Sequence, residues 1–326
     1  MQDQKLIVVR CLTYNQESTI RQCLEGIVSQ DTEYPFVAVV HDDASTDKTA
    51  DIVREYAAKY PDKIRPILET ENQYSKGTLK EIMERACGEY TAAKYYAICE
   101  GDDYWTDRHK LQKQVEFLEK HPEYAMCCCN ASILTSSGEL DWTISEVDTD
   151  LSIENLIKKG GLYIATAGIV YRKSVKDNYP ECCVKCKVGD HPLQIMCGLK
   201  GKVRYFSDKM VVYRYAMNNS WSATRKNEDI KKLTTSWNST LVMLKGLNEY
   251  SDYKYDKFFN EGALLITLSN IGNHLTYSKM ILNGLLEEFP DCLKYAGSKE
   301  KLKLFLINHN LTFIWRAGKR LKNLKH

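Results

Sequence analysis

Over the first 130 or so positions, short apolar runs alternate with apolar residues spaced as on a helix. Leu6-Ile-Val-Val9 has no polar interruption, as expected of a strand covered on both faces. After Thr13-Tyr14-Asn15, the residues Ile20, Cys23, Leu24 and Ile27 recur at the period of a helix. Positions 36–40 predict a second strand, which breaks into His41-Asp-Asp-Ala-Ser-Thr-Asp47. Asp47 is the expected N-cap of a helix carrying Ile52, Val53 and Tyr56. Pro61 stops that helix, and positions 64–68 read as a third strand. A helix over 79–86 is expected to end at Gly88 as a left-handed cap. Positions 95–99 form a fourth strand, running into Glu100-Gly-Asp-Asp-Tyr-Trp105. Leu111, Val115 and Leu118 then mark a helix stopped by His121-Pro122. Such alternation predicts an α/β fold built on a mostly parallel sheet with helices on both faces.

Beyond Leu134 the pattern changes. Ser136-Ser-Gly138 reads as a hairpin turn, and positions 163–171 and 203–206 read as strands. From about Glu228 the spacing is helical, with Leu233, Trp237, Leu241 and Leu244 on one face and Phe258, Leu264, Leu265 and Leu268 on another. A chain of 326 residues is long enough for about two domains. The expected division is residues 1–222 and a helical region, 223–326.

Composition narrows the function. With 44% hydrophobic and 27% charged residues, the chain is not of a disordered type. Its 45 bases and 43 acids leave a net charge of +2, too balanced for a protein that coats nucleic acid. No stretch nears the roughly 18 apolar residues of a membrane-spanning helix. Met1-Gln-Asp-Gln-Lys5 lacks the features of a secretory signal, so a cytosolic protein is expected. Twelve cysteines in such a chain are expected to be reduced and mostly buried. Cys183 and Cys186 have C-x-x-C spacing, but a structural zinc needs a second such half and none is evident.

In an open parallel sheet, ligands collect beyond the carboxyl ends of the strands. Three polar clusters fall there: Thr13-Tyr14-Asn15, Asp42-Asp43-Ala-Ser45 and Glu100-Gly-Asp102-Asp103. Five carboxylates on one rim repel each other unless a cation sits among them, and a hard divalent ion prefers such oxygens. An ion with few protein ligands completes its shell with phosphate and water, which makes a nucleoside diphosphate a natural ligand. Each cluster read alone is equally a set of solvated loop acids and caps.

These strings together resemble the family 2 glycosyltransferases of GT-A fold. The stretch Asp102-Asp-Tyr-Trp105 through Lys110-Leu-Gln-Lys-Gln114 is especially similar to bacterial capsule and cell-surface polysaccharide transferases. The resemblance spans about residues 5–222. It implies that Thr13, Tyr14 and Asn15 line a nucleotide pocket and that Asp43 accepts a hydrogen bond from the base, uracil by preference. It implies further that Glu100, Asp102 and Asp103 hold ribose and a Mg²⁺ or Mn²⁺ ion on the diphosphate. Glu100 stands where the first Asp of that pattern is common, so the metal falls mainly to Asp102 and Asp103. Lys76 is a candidate contact to the base or a phosphate.

Downstream, Val188-Gly-Asp190-His-Pro-Leu193 resembles the family's second acidic motif, which implies that Asp190 is the catalytic base. As residue chemistry alone, Asp190 is equally a helix N-cap. Thr166 opens the segment similar to the strand flooring the acceptor site, and the run from Val211 to Ser222 resembles the family's Tyr-Arg-x-His segment, with Trp221 in it a second acceptor-site candidate. In that segment Ala216 replaces a histidine common in the family. Arg214 is a candidate for neutralising phosphate, or a structural ion pair.

The implied activity is inverting transfer of a sugar from a nucleotide-sugar donor, a UDP-sugar favoured, to a glycan or lipid-linked acceptor. Two rivals remain: a nucleotidyltransferase on a similar sheet and a non-catalytic nucleotide-sugar or glycan-binding protein. Past Glu300 the chain has no acid, while Lys301, Lys303, Arg316, Lys319, Arg320, Lys322 and Lys325 alternate with apolar residues. That pattern suits either peripheral contact with an anionic membrane or a packed helix with a solvated basic face. His41, His109 and His191 read as polar or loop histidines, with His191 the first exception to expect.

Overall fold

The computed structural model describes residues 6–215, 230–312 and 314–315. The first unit is built on one sheet. Its strands are β1 (Ile7–Thr13), β2 (Phe36–Asp42), β3 (Ile64–Leu68), β4 (Tyr95–Ile98), β5 (Tyr104–Trp105), β6 (Tyr124–Thr135), β7 (Gly138–Trp142), β8 (Thr149–Leu151), β9 (Val170–Arg172) and β10 (Lys202–Arg214). Their order is β3-β2-β1-β4-β9-β6-β10-β5, with β7 paired to β6 and β8 to β10. The first four strands of that order are parallel, as the strand–helix alternation predicts. β9 then runs antiparallel to β4 and β6, so the further half of the sheet is mixed.

Helices α1 (Ile20–Val28), α2 (Thr49–Lys59), α3 (Gln73–Lys76), α4 (Leu79–Gly88) and α5 (Lys110–Lys120) connect the early strands. α1 buries Ile20, Cys23, Leu24 and Ile27, the stripe its sequence marks out. The N-cap of α2 is Lys48 rather than the expected Asp47, which stands one residue earlier and accepts a hydrogen bond from the Thr49 amide at 2.9 Å. Gly88 does not form the expected left-handed cap, because α4 continues through it. Left-handed glycines stand instead at Gly77, at φ 78°, ending α3, and at Gly160, at φ 75°.

The long strand expected over 163–171 is reduced to Val170–Arg172, preceded by single 3₁₀ turns at Gly161–Tyr163 and Thr166–Gly168. Side chains explain the loss. Trp105 Nε1 donates to the Ala167 carbonyl and Gln114 Nε2 to the Gly168 carbonyl, both at 2.9 Å, taking two acceptors a strand would give to its neighbour.

The second unit gathers Ser152–Tyr163, Tyr179–Ile195 and the described residues from Ile230 onward. It contains α6 (Ile153–Lys158), α7 (Glu181–Lys185), the start of α8 (Asp190–Lys200), α9 (Ile230–Tyr250), α10 (Asp256–Asn273), α11 (Ser278–Glu288) and α12 (Ser298–Asn308). Trp237, Leu241 and Leu244 of α9 are buried as spaced. On α10 the buried ring is Phe259 rather than Phe258. The expected boundary at 222/223 lies outside the described residues.

All twelve cysteines are free thiols. Eleven are buried and Cys182 is half-buried. Cys127, Cys128 and Cys129 occupy successive positions of β6, an interior strand between β9 and β10, so both faces of that run are covered.

Candidate active site

Three loops leave the carboxyl ends of β1, β2 and β4, and the ladder holds them together. Thr13 and Asp42 are paired end residues of β1 and β2, and the Asp43 amide donates to the Thr13 carbonyl at 3.0 Å. The chain after β4 keeps bonding to β1, since the Gly101 amide donates to the Leu12 carbonyl at 2.9 Å.

The first two loops are tied to each other by side chains. Asn15, at φ 52°, donates its amide to Ser45 Oγ, and its Oδ1 accepts from the Thr46 amide, both at 2.8 Å. Asp42 accepts from the Ser45 amide at 3.0 Å. Asp43 is buried, and its two oxygens accept the Gln73 and Tyr74 amides of α3 at 2.6 and 3.1 Å. A carboxylate has further lone pairs, so this fixes Asp43 without exhausting it as an acceptor. Thr13 is buried and donates to Gln16 Oε1 at 2.7 Å, whereas the Tyr14 ring is exposed. Lys76 is half-exposed and paired with Glu71.

The third loop is the acidic one. A methyl group at Gly101 would lie 2.7 Å from Thr13 Oγ1 and collide with Gln16, so only glycine lets this loop lie against the first. Glu100, Asp102 and Asp103 bring carboxylate oxygens within 4.8 Å of one another, a spacing that suits one cation. Asp103 is fully buried. Its Oδ1 accepts the Arg214 amide at 2.9 Å, while its Oδ2 is buried with no hydrogen-bond partner. Burial first, then the neighbouring Asp102 charge, pushes the Asp103 carboxyl well above the usual carboxylate range. Burial also raises that of Asp102, against the pull of Arg214. An orphaned buried carboxylate oxygen beside two more acids is the donor set a hard divalent ion requires, so the residues present fit such an ion.

Arg214 ends β10 and is itself buried. Its guanidinium donates to the Asp102 carbonyl at 2.5 Å and to Gln22 Oε1, and lies 4.6 Å above the Tyr104 ring. It therefore shapes the acidic loop from behind. Gln16 and Gln22 were not singled out from the sequence. Gln16 lies inside the Thr13–Glu17 string, whereas nothing local marks Gln22, whose partner is 192 positions away.

In the second unit, Asp190 is the first residue of α8 and is partly exposed. Its Oδ1 accepts the adjacent His191 amide at 2.8 Å. A methyl group at Gly161 would collide with the Asp190 carboxylate, and Gln194 Nε2 donates to the Gly161 carbonyl at 3.0 Å. The carboxylate thus rests on a glycine pinned by the next turn of its own helix. Gly161 was not foreseen, because no local pattern links it to position 190.

Thr166 opens its 3₁₀ turn and is partly exposed. Trp221 and Ala216 lie outside the described residues. Two histidines differ from their reading as loop residues. His41 is wholly buried within β2, with Nε2 3.4 Å from Glu69, and His191 is buried with Nε2 3.2 Å from the Leu156 and Ile157 carbonyls. Among the described residues, the acidic trio is the group of three or more His, Cys, Asp or Glu side chains spaced to hold a metal.

A half-parallel sheet with an acidic loop at the end of its fourth strand is the build of the GT-A fold. It is shared with the crystal structure of S. aureus TarS, at a TM-score of 0.57 and 16% identity over 93% of this chain and 52% of that one. The mannosyltransferase PcManGT of Pyrobaculum calidifontis, solved with GDP-Man and Mn²⁺, aligns at a TM-score of 0.52 and 15% identity over 98% of this chain and 84% of that one. Residues 11–179, more than half of the chain, match the family described as Glycosyl transferase family 2, and the chain belongs to that family. An uncharacterised protein of Mycobacterium tuberculosis is 36% identical over 212 residues, 64% of this chain and 59% of the relative, so the chain spans somewhat over half of that protein's length. No helix among the described residues is long and apolar enough to cross a membrane.

Proposed function

We propose that this chain transfers a sugar from a nucleotide-sugar donor, by preference a UDP-sugar, to a glycan or lipid-linked acceptor in polysaccharide biosynthesis, with inversion at the anomeric carbon. The observation that carries the reading is the acidic loop after β4, where Asp103 Oδ2 is buried without a partner beside Asp102 and Glu100. TarS has been solved with UDP-GlcNAc and PcManGT with GDP-Man, which supports a nucleotide-sugar donor, while the preference for uridine rests on the sequence resemblance.

In this reading Thr13, Tyr14 and Asn15 border the nucleotide and Asp43 accepts from the base. Glu100 and Asp102 face ribose and diphosphate, and Asp102 and Asp103 hold Mg²⁺ or Mn²⁺. A bound divalent ion supplies a Lewis acid that offsets charge on the departing diphosphate. Arg214 adds positive charge behind the loop, and Lys76 reaches the donor only by leaving Glu71. Thr166 and Trp221 border the acceptor. Asp190 takes the proton of the acceptor hydroxyl as the bond from that oxygen to the anomeric carbon forms and the bond from that carbon to the diphosphate oxygen breaks. Attack opposite the leaving group inverts the centre. The basic segment after Glu300 adds peripheral contact with an anionic membrane at the cytoplasmic face.

The test is turnover of a panel of UDP-, GDP- and dTDP-sugars with and without Mn²⁺. One donor consumed only with metal, together with a matching rise in melting temperature, is the expected result. Binding without turnover on any acceptor or water would instead indicate a nucleotide-sugar-binding protein.

A further inference from the structure

α12 is apolar on two sides. One side buries Leu304, Leu306 and Ile307 in the helical unit. The other leaves Leu302 and Phe305 59% and 50% exposed. Leu302, Phe305 and His309 follow at intervals of three and four, so they share one outward stripe, and the Phe305 and His309 rings stack at 4.0 Å. Packing within the unit therefore does not explain the apolar residues of this stripe.

The chain just past this stripe lies against the start of α11. A cleft of about 310 Å³ is lined by Tyr277, Lys279 and Met280 at the start of α11 and by Asn310 and Thr312 after α12, so these two segments form one surface. Met280 is half-exposed there, as is Ile314 just beyond. Basic side chains flank these residues. Lys279 and Lys301 are exposed beside Met280 and Leu302, Lys303 Nζ lies 5.2 Å over the Trp315 ring, and no acid occurs after Glu300.

We propose that this surface of α11, α12 and the residues after α12 docks on an anionic lipid bilayer, with Leu302, Phe305, Met280 and Ile314 entering the headgroup boundary and the lysines meeting lipid phosphates. It deepens the membrane contact proposed above, which rested on the basic segment alone, and it is independent of the transfer chemistry. Lipid is the occupant because exposed apolar side chains ringed by lysines match a surface that is apolar inside and negative outside. A protein groove would need matching acids and a shaped partner.

The experiment is co-sedimentation of the full chain with phosphatidylglycerol-containing vesicles and with pure phosphatidylcholine vesicles. Binding to the first and not the second is expected, with a fraction that survives high salt because apolar insertion is not screened. Leu302→Asp with Phe305→Asp should weaken binding at least tenfold, and Lys301→Ala about fivefold. Both should leave melting temperature and donor turnover unchanged, since these side chains are exposed. If the Leu302/Phe305 double variant binds like the parent while charge reversal in the basic segment abolishes binding, the face is overturned and the simpler contact stands. Failure of the parent to bind either vesicle overturns both. Loss of self-association in the double variant without a change in vesicle binding would make the face a protein contact and also overturn the proposal.

Discussion

The two acidic motifs of this chain look alike as text, each an aspartate following a glycine, yet they are built in opposite ways. In the loop after β4, Asp103 is sealed from solvent, one oxygen fixed by the Arg214 amide and the other left with nothing. At the start of α8, Asp190 is partly open and rests on a glycine. A buried carboxylate with one oxygen unpaired costs the fold stability that a positive ligand would return. An open acid with a bare glycine beneath it keeps a free path for a substrate proton. Under the proposed function this contrast assigns Asp103 to binding and Asp190 to proton transfer, a distinction that residue identity alone does not make.

The most damaging way to probe this contrast is Asp190→Asn. Removing a general base should lower sugar transfer by about 10²–10⁴-fold, while calorimetric affinity for the nucleotide stays as in the parent. Near-parent transfer would remove Asp190 from the role.

Asp103→Asn addresses the other side. Turnover should fall on the order of 10²-fold, and the Mn²⁺-dependent rise in melting temperature should vanish. Without metal the variant should melt at or above the parent. A carboxyl that holds its proton more tightly folded than unfolded takes stability from the fold at neutral pH, and the amide removes that cost while its oxygen still accepts the Arg214 amide. A variant that melts well below the parent would mean that Asp103 is simply structural.

The finest probe is Gly161→Ala. The added methyl meets the partly exposed Asp190 carboxylate, which has room to swing aside toward solvent, so stability should change by less than about 1 kcal/mol. Transfer should nevertheless drop roughly tenfold, since a displacement of about an ångström at a reacting group is costly. Equal losses of stability and rate would show instead that the glycine serves packing.

What could be read in advance follows the distance over which each feature is encoded. β1, α1, β2 and the Glu100–Trp105 string are contiguous, and their apolar periods and polar ends announce them. The same contiguity misled at 163–171, where a β-rich run is held in a 3₁₀ turn by Trp105 and Gln114 from elsewhere in the chain. Arg214 reaches Asp103 across 111 positions, and no local pattern carries that contact. The association of Ser152–Tyr163 and Tyr179–Ile195 with the later helices is likewise a matter of packing rather than of any boundary signal.

Burial of eleven of the twelve thiols has a practical side. Cys182 alone combines partial exposure with a proton affinity lowered by the hydrogen bond it shares with Cys183, the combination that thiol-selective dyes and spin probes seek. The native chain therefore carries its own attachment point on α7, and spectroscopic reporters can be placed on the helical unit without first engineering the remaining cysteines away.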